Sequence, residues 1–327
     1  MKSNSKRILV TGGAGYIGSK VCRELNGSGF EPITFDNLST GLKSNVRWGP
    51  LHIGDLRKRE DIEDIFERYK FLGVIHLAAK AYIEESMKQP AEYFDSNISG
   101  TSNLLTAAVK ARVDKIVFSS SCATYGEVAV SEISEDHTQN PVNAYGFTKF
   151  ACEKLLEFTA HNSSLKYGIL RFFNAAGADL DCGLGEMHVP ETHVIPLAIE
   201  AALQNRTFKI FGNQYKTPDG TAVRDFIHIK DLASAHVAAI KKLLANEKSF
   251  VCNLGSGVAT SIQVIVDTIK LTYPEFRAEI YPSRLGDPSH LVANIENAKK
   301  ILDWEPMHSE ISEIINTSIS WSLRARS

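Results

Sequence analysis

Short apolar, β-branched runs alternate with longer segments of three- and four-residue apolar spacing through the first half of the chain. The runs at Arg7 to Thr11, Pro32 to Asp36, Gly73 to Ala78, Lys115 to Ser120 and Gly168 to Phe172 are apolar without strict alternation. That is the pattern of strands buried on both faces of a parallel sheet. Between them, Lys58 to Tyr69, Ala91 to Lys110 and Ala144 to Ala160 repeat apolar residues at helical spacing. Strand and helix in alternation predict an α/β fold, a Rossmann-type doubly wound parallel sheet with helices on both faces. Beyond Asn174 the rhythm changes to a Gly-rich loop, Ala176 to Gly185, a helix over Ile195 to Leu203, and then short strands and turns. A boundary at Asn174 therefore separates a first lobe, residues 1–174, from a smaller α/β lobe, residues 175–327, part of which packs back on the first.

Composition narrows the class. A chain of 327 residues with 43% hydrophobic and 23% charged residues is an ordinary globular protein, large enough to bury a substantial core. Its 36 Lys and Arg against 38 Asp and Glu leave a net charge of -2, which argues against a nucleic-acid or membrane-surface partner. An anionic ligand must then be held by a few placed groups. The five cysteines, Cys22, Cys122, Cys152, Cys182 and Cys252, form no C-x-x-C pair, so reduced thiols are expected rather than a disulfide framework or zinc knuckle. The apolar run Ile8 to Val10 is too short for a signal-peptide core, and no apolar stretch approaches the roughly 18 residues of a membrane span. The expected location is the cytoplasm.

Candidate chemistry begins after the first strand. Gly12, Gly15 and Gly18 have G-x-x-G-x-x-G spacing at a strand-to-helix turn, where glycines permit close backbone approach to a pyrophosphate at a helix N-terminus. Asp36 closes the second strand, where an acid accepts hydrogen bonds from adenosine ribose hydroxyls and repels a 2'-phosphate, so NAD is expected over NADP. Asp55, after Gly54, is a second strand-end acid placed to meet the adenine.

Tyr145 and Lys149 form Y-x-x-x-K in a segment that starts after Pro141 and reads as a helix, which puts both side chains on one face. A free tyrosine titrates near 10 and is a poor base at neutral pH. One cation at about 5 Å, with an effective dielectric of ~20, contributes about 3 kcal/mol, or roughly two pKa units. Lysine alone falls short, and an oxidised nicotinamide would supply the remainder. Ser119, Ser120 and Ser121 end an upstream strand, at the sheet edge where ligands bind, and a hydroxyl there can relay a proton.

These residues carry a resemblance. The chain resembles the extended short-chain dehydrogenase/reductases and, among them, most closely the UDP-glucose 4-epimerase family. The matches run through Gly12 to Gly18, Asp36-Asn37-Leu38, Gly54-Asp55-Leu56, His76 to Ala79, Asn97, Ser119 to Ser121, Tyr125-Gly126, Tyr145 to Lys149, Arg171 to Asn174, Asp219 to Thr221, Val223 to His228 and Arg284 to Asp287. The resemblance implies Ser121, Tyr145 and Lys149 as the catalytic group. It implies an NAD site formed by Gly12, Gly15, Tyr16, Ile17, Gly18, Asp36, Asn37, Leu38, Ser39, Thr40, Gly41, Asp55, Leu56, Leu77, Ala78, Ala79, Lys80, Ala81, Asn97, Ser119, Tyr145, Lys149 and Phe173. For a UDP-sugar it implies Ser121, Tyr145, Asn174, His193, Lys209, Ile210, Phe211, Arg224, Arg284, Asp287 and Leu291. Two arginines around a diphosphate make physical sense, since guanidinium forks match phosphate oxygens. His188, Glu191 and His193 show no regular ligand motif, so no metal is expected, and His193 is read as a substrate-pocket residue.

The fold hosts several reactions, so the choice rests on residues. Nucleotide-sugar dehydratases resemble the serine segment but carry an acid pair after the hydroxyl residue, to eliminate water. Here Cys122 and Ala123 stand there. What remains is reversible redox at one carbon: an NAD-dependent isomerase that inverts C4 of a UDP-sugar through a 4-keto intermediate. UDP-glucose and UDP-galactose are the implied pair. Leu291, where strict hexose enzymes have a bulky tyrosine, adds UDP-GlcNAc and UDP-GalNAc, and the segment Ala81 to Ser86 resembles UDP-pentose 4-epimerases. A dehydratase or reductase is the enzymatic alternative; an NAD-binding redox sensor, a class that commonly loses the tyrosine retained here, is the non-enzymatic one. The resemblance also implies a homodimer through the helices that start near Pro90 and Tyr145.

Overall fold

The five runs read as strands all enter one parallel sheet in the computed structural model, which describes residues 6–128, 130–283 and 288–324. The first half contains β1 (Arg7–Thr11), α1 (Tyr16–Gly27), β2 (Glu31–Asp36), β3 (Leu51–Ile53), α2 (Arg59–Arg68), β4 (Gly73–His76), α3 (Ile83–Lys88), α4 (Pro90–Tyr93), α5 (Gly100–Lys110), β5 (Lys115–Ser121), α6 (Ala144–His161) and β6 (Lys166–Phe172). The remainder contains β7 (Asn174–Ala176), α7 (Val194–Leu203), β8 (Phe208–Phe211), β9 (Val223–Arg224), β10 (Phe226–His228), α8 (Ile229–Leu244), β11 (Phe250–Leu254), β12 (Thr260–Ser261), α9 (Ile262–Thr272), β13 (Ala278–Tyr281), β14 (His290–Leu291) and α10 (Ile311–Arg324).

The central sheet has seven strands in the order β11-β6-β5-β4-β1-β2-β3, every neighbouring pair parallel. From β1 the chain winds outward through β2 and β3, then returns to β4 and winds the other way. The carboxyl ends of β1 and β4 thus flank a topological switch point, where open α/β sheets bind ligands.

Alternate residues of each strand serve opposite faces, which is why the runs show no polar side. Ile8 and Val10 pack with Val21, Leu25, Leu232, Ala235 and Ile240 of α1 and α8. Leu9 packs on the other face with Ile62, Ile65, Leu104, Leu105, Cys152 and Leu156 of α2, α5 and α6. A separate core beyond Asn174 joins α7, α9 and α10 to Phe208 and Ile210 of β8. Residues past Asn174 also complete the first layer: β11 pairs with β6, and α8 covers the sheet beside α1.

Two sequence expectations change in detail. The fourth strand ends at His76, two residues before the predicted Ala78, so Leu77 to Ala81 are free to form a loop at the switch point. The helix predicted over Ala91 to Lys110 contains a π-helical turn at Phe94–Ser99, a widening often found at functional sites.

Candidate active site

The glycine turn is built for two purposes. A Cβ on Gly12, whose φ is +72°, would lie 2.7 Å from the backbone nitrogen of Ala78, and one on Gly18 would lie 2.0 Å from the Gly12 carbonyl. Those two glycines let the turn pack on itself and on the loop after β4. Gly15 differs: a Cβ there would meet nothing nearer than the Gly12 carbonyl at 3.3 Å. It caps the N-terminus of α1 with no side-chain hydrogen bond, leaving an open backbone surface at a helix N-terminus, as a pyrophosphate requires. Tyr16 ties this turn to the second lobe, its hydroxyl donating to the Gly177 carbonyl at 2.6 Å, and Ile17 packs against the α1–α8 core.

Asp36 ends β2 and accepts from the backbone nitrogens of Ala14 (3.0 Å) and Leu38 (2.8 Å). Burial raises its pKa, while these two hydrogen bonds pull it back. The second bond holds Leu38 in a left-handed backbone conformation, φ 59°, and the loop from Asn37 through Ser39, Thr40 and Gly41 folds back over Ala14. Asn37 donates to Asp55 at 3.2 Å, and Arg57 holds the Asp55 carboxyl well below the usual range. Leu56 is buried under Gly100.

Opposite this loop, Leu77, Ala78, Ala79, Lys80 and Ala81 form the other wall of the switch point. Asn97, in the π turn, accepts from the Lys80 nitrogen (2.9 Å) and donates to the Lys80 carbonyl (3.0 Å) and to Thr148 (3.0 Å). Its amide therefore works by positioning the loop. The Lys80 ammonium is engaged by Glu92 at 2.5 Å and Glu85 at 3.5 Å.

The serine and the tyrosine arrive from different elements. Ser121 is the last residue of β5, and Tyr145 enters α6 because Asn143 caps that helix, accepting from the Gly146 nitrogen at 2.8 Å. Burial pushes the Tyr145 phenol up to about 12, against a lowering from its hydrogen bond with Ser121. Lys149 stands on the same helix face, its ammonium 5.9 Å from the Tyr145 ring centroid, and it donates to the Ser119 carbonyl at 2.8 Å. Burial brings it down to about 8. The phenol, the hydroxyl and the ammonium thus meet at the carboxyl end of β5, on the same edge of the sheet as the glycine turn and two strands from it.

Several supporting residues were given no role in the sequence reading. His236 of α8 places Nδ1 2.8 Å from the Leu232 carbonyl, which can only accept, so Nε2 accepts from the Ser119 hydroxyl beside it. That hydroxyl is committed to the protein, and the carbonyl of the same residue holds Lys149. His76, at the end of β4, bridges Thr11 (2.7 Å) and Thr101 (2.9 Å), linking the switch point to the π turn. Burial drops His76 to about 3 and His236 to about 4, so both are neutral. Ser86 accepts from the Tyr145 nitrogen at 3.1 Å. For His76 a signal existed: it is the one polar residue of its strand.

Just after β6, Asn174 donates to the Asp225 carbonyl at 2.8 Å, clamping β7 to β10. Arg224 donates to the Val223 carbonyl at 2.8 Å; burial raises the Cys122 thiol and the Arg224 charge lowers it, so the guanidinium lies in the neighbourhood of the turn that follows Ser121. Along β8, Ile210 faces the lobe core and Lys209 faces out over Tyr281, while Phe211 is half-buried beside that ring. Phe173 and Leu291 share one apolar cluster with Tyr125 and Ile133. His193 precedes α7; burial alone would lower it, but hydrogen bonds to Glu186 and Glu191 raise it to about 10. Arg284 and Asp287 lie outside the described residues.

A dinucleotide fits the residues present: an open backbone at Gly15, a strand-end carboxylate at Asp36 and a glycine-lined switch point. Comparison with known proteins points the same way. The model of the NAD dependent epimerase/dehydratase family matches residues 8–255. The chain is 45% identical to the UDP-glucose 4-epimerase of Rhizobium meliloti over 99% of this chain and 98% of that one. Among solved structures it is similar to the UDP-glucose 4-epimerase of Brucella ovis in complex with NAD, with a TM-score of 0.93, 42% identity and coverage of 97% and 98%. It is also similar to the UDP-Glc/GlcNAc 4-epimerase of Campylobacter jejuni, with a TM-score of 0.86, 35% identity and coverage of 98% and 100%.

Proposed function

The chain belongs to the NAD dependent epimerase/dehydratase family, and from that membership we propose that it is an isomerase inverting C4 of a UDP-sugar, with UDP-glucose and UDP-galactose as the main pair. The observation that carries this reading is the meeting of Ser121, Tyr145 and Lys149 on the sheet edge that also bears the glycine turn, with Cys122 and Ala123 where an elimination would need an acid and a base.

When bound, NAD supplies a reversible two-electron oxidation at C4 and a positive charge close to the phenol. The backbone at Gly15, in a turn that Gly12 and Gly18 allow to pack, would hold its pyrophosphate and Asp36 its ribose, and the walls from Asn37 to Gly41 and from Leu77 to Ala81 would flank it. Tyr145 takes the C4 hydroxyl proton at its phenolic oxygen and returns one to the inverted alcohol. Its high pKa in the protein alone means that a further nearby cation is needed before it acts as a base. Ser121 relays that proton, and Lys149, held by the Ser119 carbonyl, sets the local charge. Arg224 grips the diphosphate, so the 4-keto sugar can turn about its link while staying anchored; Asn174, His193 and Lys209 to Phe211 belong to the same nucleotide-sugar site. The first lobe thus serves the cofactor and the chemistry, and the second the UDP-sugar. No net redox change accumulates, so NAD remains bound through turnover.

The discriminating experiment incubates the purified holoenzyme with UDP-galactose and no added reductant. UDP-glucose is the expected product; a lasting 4-keto product or a requirement for reductant overturns the reading. UDP-GlcNAc and UDP-xylose in the same panel set the substrate range. The second named activity of the Campylobacter jejuni neighbour favours inclusion of the acetamido sugars.

A homodimer is part of this proposal. Phe94, Val109, Phe147 and Phe158 are exposed on the helical side formed by α4, α5 and α6, with Phe94 and Phe147 stacked at 5.5 Å. A groove between α5 and α6, lined by Leu105, Val109 and Leu155, continues that surface, and a second copy would cover it. Five unpaired thiols accord with the cytoplasm. Among the described residues no helix is long and apolar enough to cross a membrane.

A further inference from the structure

One loop turns its polar ends inward and its apolar ends out. It runs from Glu186 to His193, ahead of α7 and without regular secondary structure, in the order Glu-Met-His-Val-Pro-Glu-Thr-His. Val189 is 92% exposed and Met187 52%, whereas the Glu186 side chain is 8% exposed and that of Glu191 16%. Ordinary loops show the reverse pattern. Withdrawing two carboxylates from water costs several kcal/mol each unless a cation compensates.

The two carboxylates converge with the partly buried His188 and with His193, whose side chain is 46% exposed. One ligand atom from each of Glu186, His188, Glu191 and His193 can be chosen so that all four lie within 4.8 Å of one another. Glu186 Oε1 stands 2.9 Å from His188 Nδ1 and 2.7 Å from His193 Nδ1, and Glu191 Oε1 stands 2.8 Å from His193 Nδ1. In a tetrahedral zinc site, ligand atoms about 2.1 Å from the metal are about 3.4 Å from each other. The observed spread, 2.7 to 4.8 Å, brackets that spacing. Relative shifts of up to about 1.4 Å between side chains would bring the four atoms to that spacing.

The loop is also prepared to hold such a set. The Thr192 and His193 nitrogens both donate to Glu191 Oε1, at 2.7 and 2.8 Å, and Trp321 Nε1 donates to the Glu186 carbonyl at 2.9 Å. The rings of Tyr16 and Tyr82 stand edge-on to His188, at 6.3 and 5.7 Å between centroids. Because all four donors come from one short segment, little chain entropy is lost in closing the site.

We propose that Glu186, His188, Glu191 and His193 form a binding site for a divalent transition-metal ion of the zinc class, beside the glycine turn and at the entry to α7. Two imidazoles and two carboxylates are a donor set that suits zinc and its tetrahedral substitute cobalt. This departs from the sequence reading, in which the spacing matched no ligand motif, no metal was expected and His193 was a substrate-pocket residue; ligation through Nδ1 leaves the Nε2 edge of His193 to the nucleotide-sugar site. A bound ion would fix the loop against Tyr16 and Tyr82.

The test uses the NAD-loaded protein after chelator treatment, titrated with Co²⁺ and with Zn²⁺, followed by calorimetry and by the visible absorption of cobalt. The expected result is one equivalent per chain at micromolar metal, with the intense bands of tetrahedral cobalt. His188→Gln and Glu191→Gln, each checked for native circular dichroism, should weaken binding about tenfold or more. Either variant suffices if the other fails to fold. Absence of stoichiometric binding in the unmodified protein, or equal binding in a folded variant, overturns the proposal and leaves the four side chains as a proton-linked ion cluster. Neither readout depends on epimerase turnover.

Discussion

The position that a Cβ would take on Gly146 lies 2.4 Å from the carbonyl oxygen of Ala123. The helix that carries Tyr145 and Lys149 therefore rests with its backbone on the turn that follows Ser121. This contact sets the distance between the phenol and the serine hydroxyl. In Gly146→Ala one of the two elements must move, with an overpacking cost of about 1–3 kcal/mol. The expected outcome is a turnover number at least about tenfold lower with NAD still bound, since misplacing reacting groups by about 1 Å costs up to 10²-fold. Steady-state kinetics together with NAD content of the purified variant check it.

Tyr145→Phe removes the proton acceptor and leaves the packing of α6 in place. Turnover should fall by about 10² to 10⁴ or more while bound NAD is retained, and Ser121→Ala should lie at the lower end of that range. A near-normal rate in the phenylalanine variant would refute the assignment of Tyr145.

Gly15 and Gly18 should respond differently to alanine. A methyl group on Gly18 meets the Gly12 carbonyl at 2.0 Å, so Gly18→Ala should lower both the melting temperature and the NAD content. A methyl group on Gly15 meets only the Gly12 carbonyl, at 3.3 Å, which a shift of a few tenths of an ångström relieves, so Gly15→Ala should lower the melting temperature of NAD-stripped protein far less than Gly18→Ala does and act chiefly on NAD retention. Full NAD content in Gly15→Ala would show that the pyrophosphate does not approach that backbone.

His236 couples stability to acid. Its folded pKa is lowered by burial to about 4 from 6.5. Between those values the unfolded chain binds the proton and the native state does not, so this residue makes stability rise with pH and fall on acidification toward 4. Asp225, raised by burial to about 6, acts in the opposite sense over part of the same range. A difference measurement isolates the histidine. His236→Gln should flatten the dependence of unfolding free energy on pH between 6.5 and 4 by at most about 1.4 kcal/mol per pH unit. Denaturant titrations at several pH values provide the comparison.

Phe147→Asp places a charge on the exposed aromatic pair with Phe94. If a second copy covers that face, the variant should elute as a monomer in size-exclusion chromatography at concentrations where the unmodified protein elutes as a dimer. An unchanged elution position would remove this surface from the interface.

Much of the architecture was legible because it depends on local pattern. Buried parallel strands have no polar face, so their apolar runs stand out, and the glycine spacing, Asp36 and the Y-x-x-x-K segment all lie within single strand-helix units. Elements whose partners are distant in sequence were not legible. Nothing near Phe250 to Leu254 says that this strand completes the sheet beside β6, and nothing near His236 says that its imidazole meets Ser119, 117 residues away. Asn97 entered through the family resemblance, as a residue of the NAD site, and its use as a clamp on Lys80 depends on the π turn.

By itself the amino-acid sequence determined the fold class, because periodicity is a property of the chain; its glycine spacing pointed to a dinucleotide turn, and its family resemblance to Ser121, Tyr145 and Lys149 as the catalytic group. Only the tertiary structure decided how these groups meet: that Gly146 rests on Ala123, that Lys149 is held by the Ser119 carbonyl, and that four polar side chains of the 186–193 loop face one another. Such contacts follow from close packing, in which a few tenths of an ångström separate a fit from a clash, and linear spacing carries no information at that scale.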